Sequence, residues 1–505
     1  MGRFLQFDSV TFAYPGMAEP LLRGVSALFP EGTWTGVVGA NGAGKTTLLK
    51  LAAGELPPSD GSVRTLGSAH YVVQRTDAPP PDWDEFMNAW DPVAMDVRQR
   101  LGVSDDWFDR WETLSHGERK RVQIAIAIWR RPDVLALDEP TNHLDARTKE
   151  ILLAALKDFR GAGLVVSHDR DFLDALCAQC LFVYPPSAVM RPGGVSAGEA
   201  EDRREQNRAK DEHATQAAKA RRLKAAAQNR REAAEQSAAR TSRLKSRLDV
   251  KNDHDGRAKR QLAKLTGKDG WGFARAAALN RRAARLSVAD PHIRVEYKVG
   301  FWLDGAAVAP QNFLIDVPAG EVALGDGRRL VHPALQIRPD DRIALTGDNG
   351  TGKSTLVRHL LELANVKPER LLVIPQEISA AESRAIHESV KKLDDGPLGR
   401  VMTLVSRLGS RPARLLASST PSPGEIRKIL LAQGVERGPY LIVMDEPTNH
   451  LDLPSIECLE SALAEASCAL LLVSHDERFL RRLVRARWRL AENGGTVELR
   501  TEAAS

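Results

Sequence analysis

Two short stretches of this 505-residue chain have the residue types and spacing to hold phosphate. Residues 39–47 read GANGAGKTT and residues 347–355 read GDNGTGKST, each fitting GxxxxGK[ST]. Gly39, Gly42 and Gly44, and then Gly347, Gly350 and Gly352, let the backbone turn tightly, so that N–H groups around Asn41 and Asn349 converge on one anion. A helix beginning at the lysine adds its positive end. Lys45 and Lys353 reach the β- and γ-phosphates, Thr46 and Ser354 offer hydroxyls to Mg²⁺, and Thr47 and Thr355 follow in the first turn.

Each loop is followed by an apolar run ending in two acids, Asp138–Glu139 and Asp445–Glu446. The first acid of each pair suits the metal shell and the second suits polarising an attacking water, because phosphoryl transfer asks for positioning and charge stabilisation more than covalent chemistry. His168 and His475, each in SHD at the end of a further apolar run, are placed to hydrogen-bond a γ-phosphate. Between these elements lie Ser115–x–Gly117–Glu118 and Ser422–x–Gly424–Glu425, each just before a helical pattern. That arrangement gives a hydroxyl, backbone N–H groups and a helix N-terminus, a second anion site in a domain that already holds its own phosphates. The second anion site therefore serves another nucleotide.

The elements that must position these residues are duplicated. LDEPTNHLD at 137–145 returns as MDEPTNHLD at 444–452, and VVSHD at 165–169 as LVSHD at 472–476, all offset by 307 residues. Within each copy, strand-length apolar runs alternate with helical patterns, the order of an α/β domain with a largely parallel sheet. The expected organisation is a first domain over 1–192, a second over 291–505, and a segment over 193–290 between them.

That segment concentrates charge. Residues 201–285 carry 24 Lys plus Arg against 11 Asp plus Glu, net +13, whereas the whole chain is +5. Residues 201–248 contain no Pro or Gly and are rich in Ala, Arg, Gln and Glu, as a long solvated helix is. Gly256, Gly267, Gly270 and Gly272 interrupt the pattern before FARAAALNRRAARL resumes it, which predicts a helical hairpin with its tip at about 249–272. A spacer needs no net charge of one sign; a thin arm with this excess suits a polyanion. The candidates for RNA contact are Arg243, Lys245, Arg247, Lys251, Arg257, Lys259, Arg260, Lys264 and Lys268, with Trp271 and Phe273 able to stack on bases or to pack the hairpin together.

The loops, the Ser–x–Gly–Glu element, the acid pair, the NHLD loop and the SHD histidine, in that order and twice, resemble the ATP-binding-cassette ATPases, and DEPTNHLD in both copies resembles their soluble ABC-F subfamily. The resemblance implies two cassettes closing face to face on two ATP molecules with Mg²⁺. One site combines Gly39–Thr46, Gln74, Asp138, Glu139 and His168 with Ser422, Gly424 and Glu425; the other combines Gly347–Ser354, Gln376, Asp445, Glu446 and His475 with Ser115, Gly117 and Glu118. Tyr14, 25 residues ahead of Gly39, is similar to the aromatic on which adenine stacks, and the matching stretch LGDGRRLVHPAL has none. Pro421 and Pro423 depart from the family's Leu and Gly, and Pro423 has no N–H to give.

The family's linker hairpin enters the tRNA exit site of the ribosome, so the resemblance implies ribosomal RNA and tRNA as partners. Residues 254–270 look similar to linkers of the antibiotic-resistance branch, and the 41 residues from Gln74 to Ser115 leave little room for the extra arm of some housekeeping members. The expected function is ribosomal protection by a monomer with an intramolecular cassette sandwich. A housekeeping translation factor, a transporter ATPase and a DNA-repair or chromatin ATPase are the alternatives. No apolar run approaches the ~20 residues that span a bilayer and MGRFLQFDSV has no secretory apolar core, so a soluble, cytoplasmic protein without a membrane partner is expected. Cys177 and Cys180 form a CxxC within an apolar helical pattern, for which packing is expected over zinc or redox chemistry.

Overall fold

A computed structural model describes residues 4–17, 19–65, 67–247, 268–287, 308–325, 327–410, 412–418, 421–449 and 451–503. The first cassette is built on a six-stranded sheet in the order Ala69–Val72, Val134–Asp138, Ala162–Val166, Trp34–Gly39, Gln179–Tyr184, Ser187–Pro192. All neighbours are parallel except the last pair. Val134–Asp138 and Ala162–Val166 are buried at every residue. Such runs show no alternation because both faces of a parallel sheet are covered. One cover is the helix Lys45–Ala52 together with an antiparallel sheet of Leu22–Pro30, Phe4–Phe12 and Asp60–Arg64.

The second cassette repeats the plan. Its central order is Ala486–Asn493, Arg342–Thr346, Ala469–Val473, Leu441–Asp445, Leu371–Ile374, the counterpart of the first copy taken from Gln179–Tyr184 to Ala69–Val72. Strands Thr496–Ala503, Arg329–His332 and Gly320–Ala323 extend it to eight. Each copy has a helical layer between its glutamine and its Ser–x–Gly–Glu element: Trp83–Asn88, Pro92–Leu101 and a 3₁₀ stretch Asp105–Thr113 in the first, Ala380–Lys391, Asp395–Arg407 and Pro412–Ala417 in the second.

Between the cassettes in the chain come a helix Val195–Arg247 and a helix Lys268–Ser287, whose described residues from Glu199 onward form a compact unit of their own. Buried alanines at a spacing of seven, Ala220 and Ala227 on one helix and Ala276 and Ala283 on the other, give each a narrow seam of the coiled-coil kind. The returning helix begins at Lys268, so 268–272 of the expected tip are helical, Gly270 and Gly272 included. Each interior glycine costs roughly 1 kcal/mol against alanine, which a twenty-residue helix absorbs.

One local expectation is corrected. The helix Arg170–Leu176 stops before the cysteine pair, and Cys180 lies on the strand Gln179–Tyr184. The strand pairs with Trp34–Gly39, where a side chain on Gly36 would meet Cys180 Sγ at 2.9 Å and Cys177 Sγ at 3.4 Å. Both side chains are buried and neither forms a disulfide, and burial pushes the Cys177 thiol up, opposite to the direction a redox thiol needs. Among the described residues, no helix is long and apolar enough to cross a membrane.

Candidate functional site

The two GxxxxGK loops join a buried strand to the helix that begins at the lysine, Lys45–Ala52 and Lys353–Glu362. Gly44 and Gly352 cap those helices with φ of +97° and +87°, a backbone few side chains adopt, and Leu21 and Leu324 fill the space a side chain on them would need. Lys45 Nζ donates to Gly39 O at 2.8 Å and Ala40 O at 3.2 Å; Lys353 Nζ donates to Gly347 O at 2.7 Å and Asp348 O at 3.0 Å. Burial lowers both lysines against the pull of the acid pairs beside them.

The metal candidates meet in pairs. Thr46 Oγ1 donates to Asp138 Oδ2 at 2.8 Å and Ser354 Oγ to Asp445 Oδ2 at 2.7 Å. A hydroxyl beside a carboxylate at the mouth of a phosphate loop is the hard-oxygen donor set that suits Mg²⁺. Tyr71 OH also donates to Asp138 Oδ2, at 2.9 Å, a contact the second copy lacks an equivalent phenol to make.

Glu139 and Glu446 both sit at φ +49°, positive for residues that avoid it. A left-handed non-glycine residue costs about 1–2 kcal/mol, and the same strain at the same place in both copies marks a functional position. Their surroundings differ. Glu139 Oε1 lies 3.0 Å from His168 Nε2; burial works to raise that carboxyl, but His168 and Lys45 outweigh it and hold it below the usual range. Glu446 lies 3.7 Å from His475 Nε2, which sits 3.1 Å from Lys353 Nζ instead. Burial pushes Glu446 up to about 7 with Lys353 pulling against it, and burial, Lys353 and Lys149 push His475 down to about 3. Glu446 Oε1 and Glu139 Oε2 are both buried without a hydrogen-bond partner among the described residues, a feature the two copies share.

The same substitution is therefore expected to act with opposite sign in the two copies. A carboxyl held neutral by the fold costs the native state stability that grows as pH rises past its ordinary value and is complete above the raised one, whereas one held ionised stabilises it above its ordinary value. In nucleotide-free protein at pH 8, Glu446→Gln raises the thermal midpoint and Glu139→Gln lowers it, each by a few degrees, about 1–2 kcal/mol. At pH 5 most of the gain from Glu446→Gln disappears. Thermal scans at both values check this; shifts of one sign for both variants at pH 8 would count against it.

Each loop faces the opposite cassette. Asn41 N donates to Asp452 Oδ2 at 2.7 Å, and Asn349 N to Asp145 Oδ2 at 3.3 Å. Those aspartates end the NHLD motifs and also cap helices, accepting from Ser455 N and Thr148 N. Asn349 Nδ2 donates to His143 O at 3.0 Å, and the His143 ring packs 4.9 Å from His116, the neighbour of Ser115. Ser115 and Ser422 each head a helix in a capping box with Glu118 and Glu425. Pro423 fits as the first helical residue, where its missing N–H costs the helix nothing, though that N–H is then unavailable to a ligand. In the second copy Gly350, Gly352, Lys353, Ser354, Thr355, Gln376, Asp445 and Glu446 line one cleft of about 280 Å³. Gly117 and Gly424 lie in the first turns of the capped helices, and Tyr14 OH bonds Thr47 Oγ1 at 3.0 Å.

The family model described as "ABC transporter" matches residues 22–142 and again 330–449. The chain is 27% identical over 497 residues to the ribosome protection protein VmlR of Bacillus subtilis, covering 95% of this chain and 86% of the relative. It is 28% identical over 553 residues to the tylosin resistance ATP-binding protein TlrC of Streptomyces fradiae, covering 94% and 95%. The chain carries two ABC ATPase domains and is similar to ABC-F ATPases along more than nine-tenths of its length. A solved complex of the archaeal ribosome recycling factor aABCE1 with the ribosomal stalk protein aP1 superposes with a TM-score of 0.62 over 97% of this chain and 89% of that one, at 19% identity, a likeness of fold.

This chain hydrolyses ATP, and two of the residues that organise its sites carry no motif. Lys120, wholly buried, donates to Val73 O, Gln74 O and Gln123 Oε1, each at 2.9 Å. Its counterpart Arg427 donates to Glu446 O and Asn449 O, both at 3.0 Å, and to Gln376 O. One buried cation per cassette thus holds the carbonyl of Gln74 or Gln376 to the helix that starts at Ser115 or Ser422. The signal available in the sequence was the register, since 120 and 427 differ by the same 307 as the motifs. Of the RNA candidates, Arg243, Lys245 and Arg247 lie on the helix Val195–Arg247 and Lys268, Trp271 and Phe273 on Lys268–Ser287, their side chains outside the described residues; Lys251, Arg257, Lys259, Arg260 and Lys264 lie outside them altogether.

Proposed function

We propose that this ATPase binds the ribosome when two ATP molecules close its cassettes, inserts residues 249–272 beside the tRNA, and leaves after hydrolysis. In this reading it protects ribosomes from an antibiotic, either by displacing the drug or by resetting the tRNA. MgATP supplies the cleavable γ-phosphate together with the metal charge that stabilises it. Lys45 and Lys353 hold the phosphates, Thr46 with Asp138 and Ser354 with Asp445 hold the metal, and Glu139 and Glu446 orient water in step with His168 and His475. Ser115, Gly117 and Glu118 complete the second site from the first cassette, and Ser422, Gly424 and Glu425 the first site from the second.

The observation that carries the reading is a net charge of +13 over residues 201–285, on a helical unit set between two ATP-hydrolysing domains. Phosphate-backbone contacts dominate affinity for RNA, so charge of one sign on a thin arm suits a polyanionic partner. Relatives named for ribosome protection and tylosin resistance support the choice of partner and outcome. The test is co-sedimentation. Glu139→Gln with Glu446→Gln is expected to stay with ribosomes in ATP but not in ADP, and deletion of 249–272 to abolish drug tolerance in cells expressing the chain. Co-sedimentation that ignores the nucleotide would defeat the mechanism; ATP-dependent binding without any change in drug susceptibility would defeat protection and leave a translation factor.

A further inference from the structure

The two cassettes differ at the place where a base would lie. In the first, the loop between the strands Phe4–Phe12 and Leu22–Pro30 brings Tyr14 beside the phosphate loop, its OH bonded to Thr47 Oγ1 at 3.0 Å and its ring 40% exposed. In the second, the equivalent turn joins Gly320–Ala323 to Arg329–His332 and is closed by Leu324 N donating to Arg328 O at 2.9 Å. Leu324, which opens its turn, packs on Gly352, whereas the residue on Gly44 is Leu21, which closes its turn. Where the first turn offers a phenol, the second offers Arg328. Its Nη2 donates to Gly350 O at 2.7 Å and its Nη1 lies 3.2 Å from Glu492 Oε2. Arg328 lines the same cleft as Lys353, Ser354 and Thr355, and among the described residues no aromatic side chain lines it.

We propose that the second site takes nucleoside triphosphates with little regard to the base, and that Arg328 sets this by holding the phosphate end. A base gains its largest sequence-tolerant contact by stacking on an aromatic face, and the described residues of this cleft provide none. Both Nη groups of Arg328 are committed to a loop carbonyl and to Glu492, which fixes the guanidinium at the phosphate loop and leaves it poorly placed to read a base edge. A fixed positive charge there acts on the triphosphate, the part common to every nucleotide. The proposal rests on the reading of both GxxxxGK loops as nucleotide sites.

The experiment isolates each site in the full chain by disabling the other loop lysine, and measures binding of ATP, GTP, CTP and UTP by equilibrium dialysis. In Lys45→Ala, which reports the second site, the four dissociation constants are expected to agree within about threefold, and adding Arg328→Ala to weaken all four by one common factor of about five to ten. Adding Arg328→Lys, which keeps the charge, restores most of that loss, whereas Arg328→Tyr strengthens the purines over the pyrimidines by about tenfold. In Lys353→Ala, which reports the first site, adding Tyr14→Ala weakens ATP by about tenfold or more. A second site that prefers one base by more than tenfold, or that ignores Arg328→Ala, overturns the proposal while leaving nucleotide binding intact. Failure of both single-site variants to bind any nucleotide removes the underlying reading and this proposal with it.

Discussion

At pH 8, Glu446→Gln removes most of the steady-state ATP turnover and Glu139→Gln removes little of it. Two effects oppose each other, and their sizes decide the outcome. In the proposed arrangement Ser422–Pro423–Gly424–Glu425 complete the first site, where Pro423 lacks an N–H that the second site has at His116. One donor aimed at developing charge is worth about 10²–10³ in rate when it is lost from an oxyanion site, and about tenfold is a conservative figure where several donors share the charge. The opposing effect is on the base. Glu139 is held ionised beside His168, whereas burial pushes Glu446 up to about 7. At pH 8 that leaves Glu446 about 90% ionised, a loss far smaller than the missing donor. The second site therefore carries the turnover. At pH 6 only about a tenth of Glu446 is ionised, and the advantage cancels. Phosphate release by the two single variants is expected to differ about tenfold at pH 8 and to converge at pH 6, with the double variant at least about 10³-fold below the parent. Equal losses at pH 8, or the larger loss in Glu139→Gln, would reject the assignment.

What could be read from the sequence was whatever short-range pattern dictates. A GxxxxGK loop needs its glycines for local backbone reasons, and Ser–x–x–Glu writes a capping box into four consecutive residues, so both copies of each were visible before any fold. The alternation of apolar strand and helix pattern gave the α/β cassettes for the same reason. What was hidden depends on partners distant along the chain. The strain at Glu139 and Glu446 follows from where the next strand's carbonyl lies, Val166 O for one and Val473 O for the other. Cys177 and Cys180 sit in a run with helical periodicity, yet Cys180 joins the sheet because pairing with Trp34–Gly39 and the space above Gly36 outweigh local preference. Lys120 and Arg427 look like surface charges of an amphipathic helix, and only the opposing carbonyls show what they hold.

The most hidden feature is also the one whose removal costs the fold most. Arg170, two residues after His168, forms an ion pair with Glu460 on the helix Leu453–Glu465 of the other cassette, and each side chain is only 3% exposed. The duplication did not supply this pair: at the 307-residue offset Arg170 corresponds to Glu477 and Glu460 to Leu153. It belongs to the contact between the copies. Arg482 adds a second cation to Glu460 at 3.2 Å, itself 57% exposed. Glu460→Met removes the carboxylate from a buried guanidinium and is expected to cost about 3–5 kcal/mol, whereas Arg170→Met leaves Glu460 with Arg482 and costs less. Replacing both by Met exchanges a buried ion pair for apolar packing of similar volume, so the double variant is expected to recover most of the loss. Thermal midpoints of the three variants in nucleotide-free protein give the order: Glu460→Met lowest, by about 10 °C, Arg170→Met between, the double close to the parent. A double variant that is the sum of the singles would show that the two side chains act independently. The order expected instead makes this pair a join between the helix Arg170–Leu176 of one cassette and the helix Leu453–Glu465 of the other.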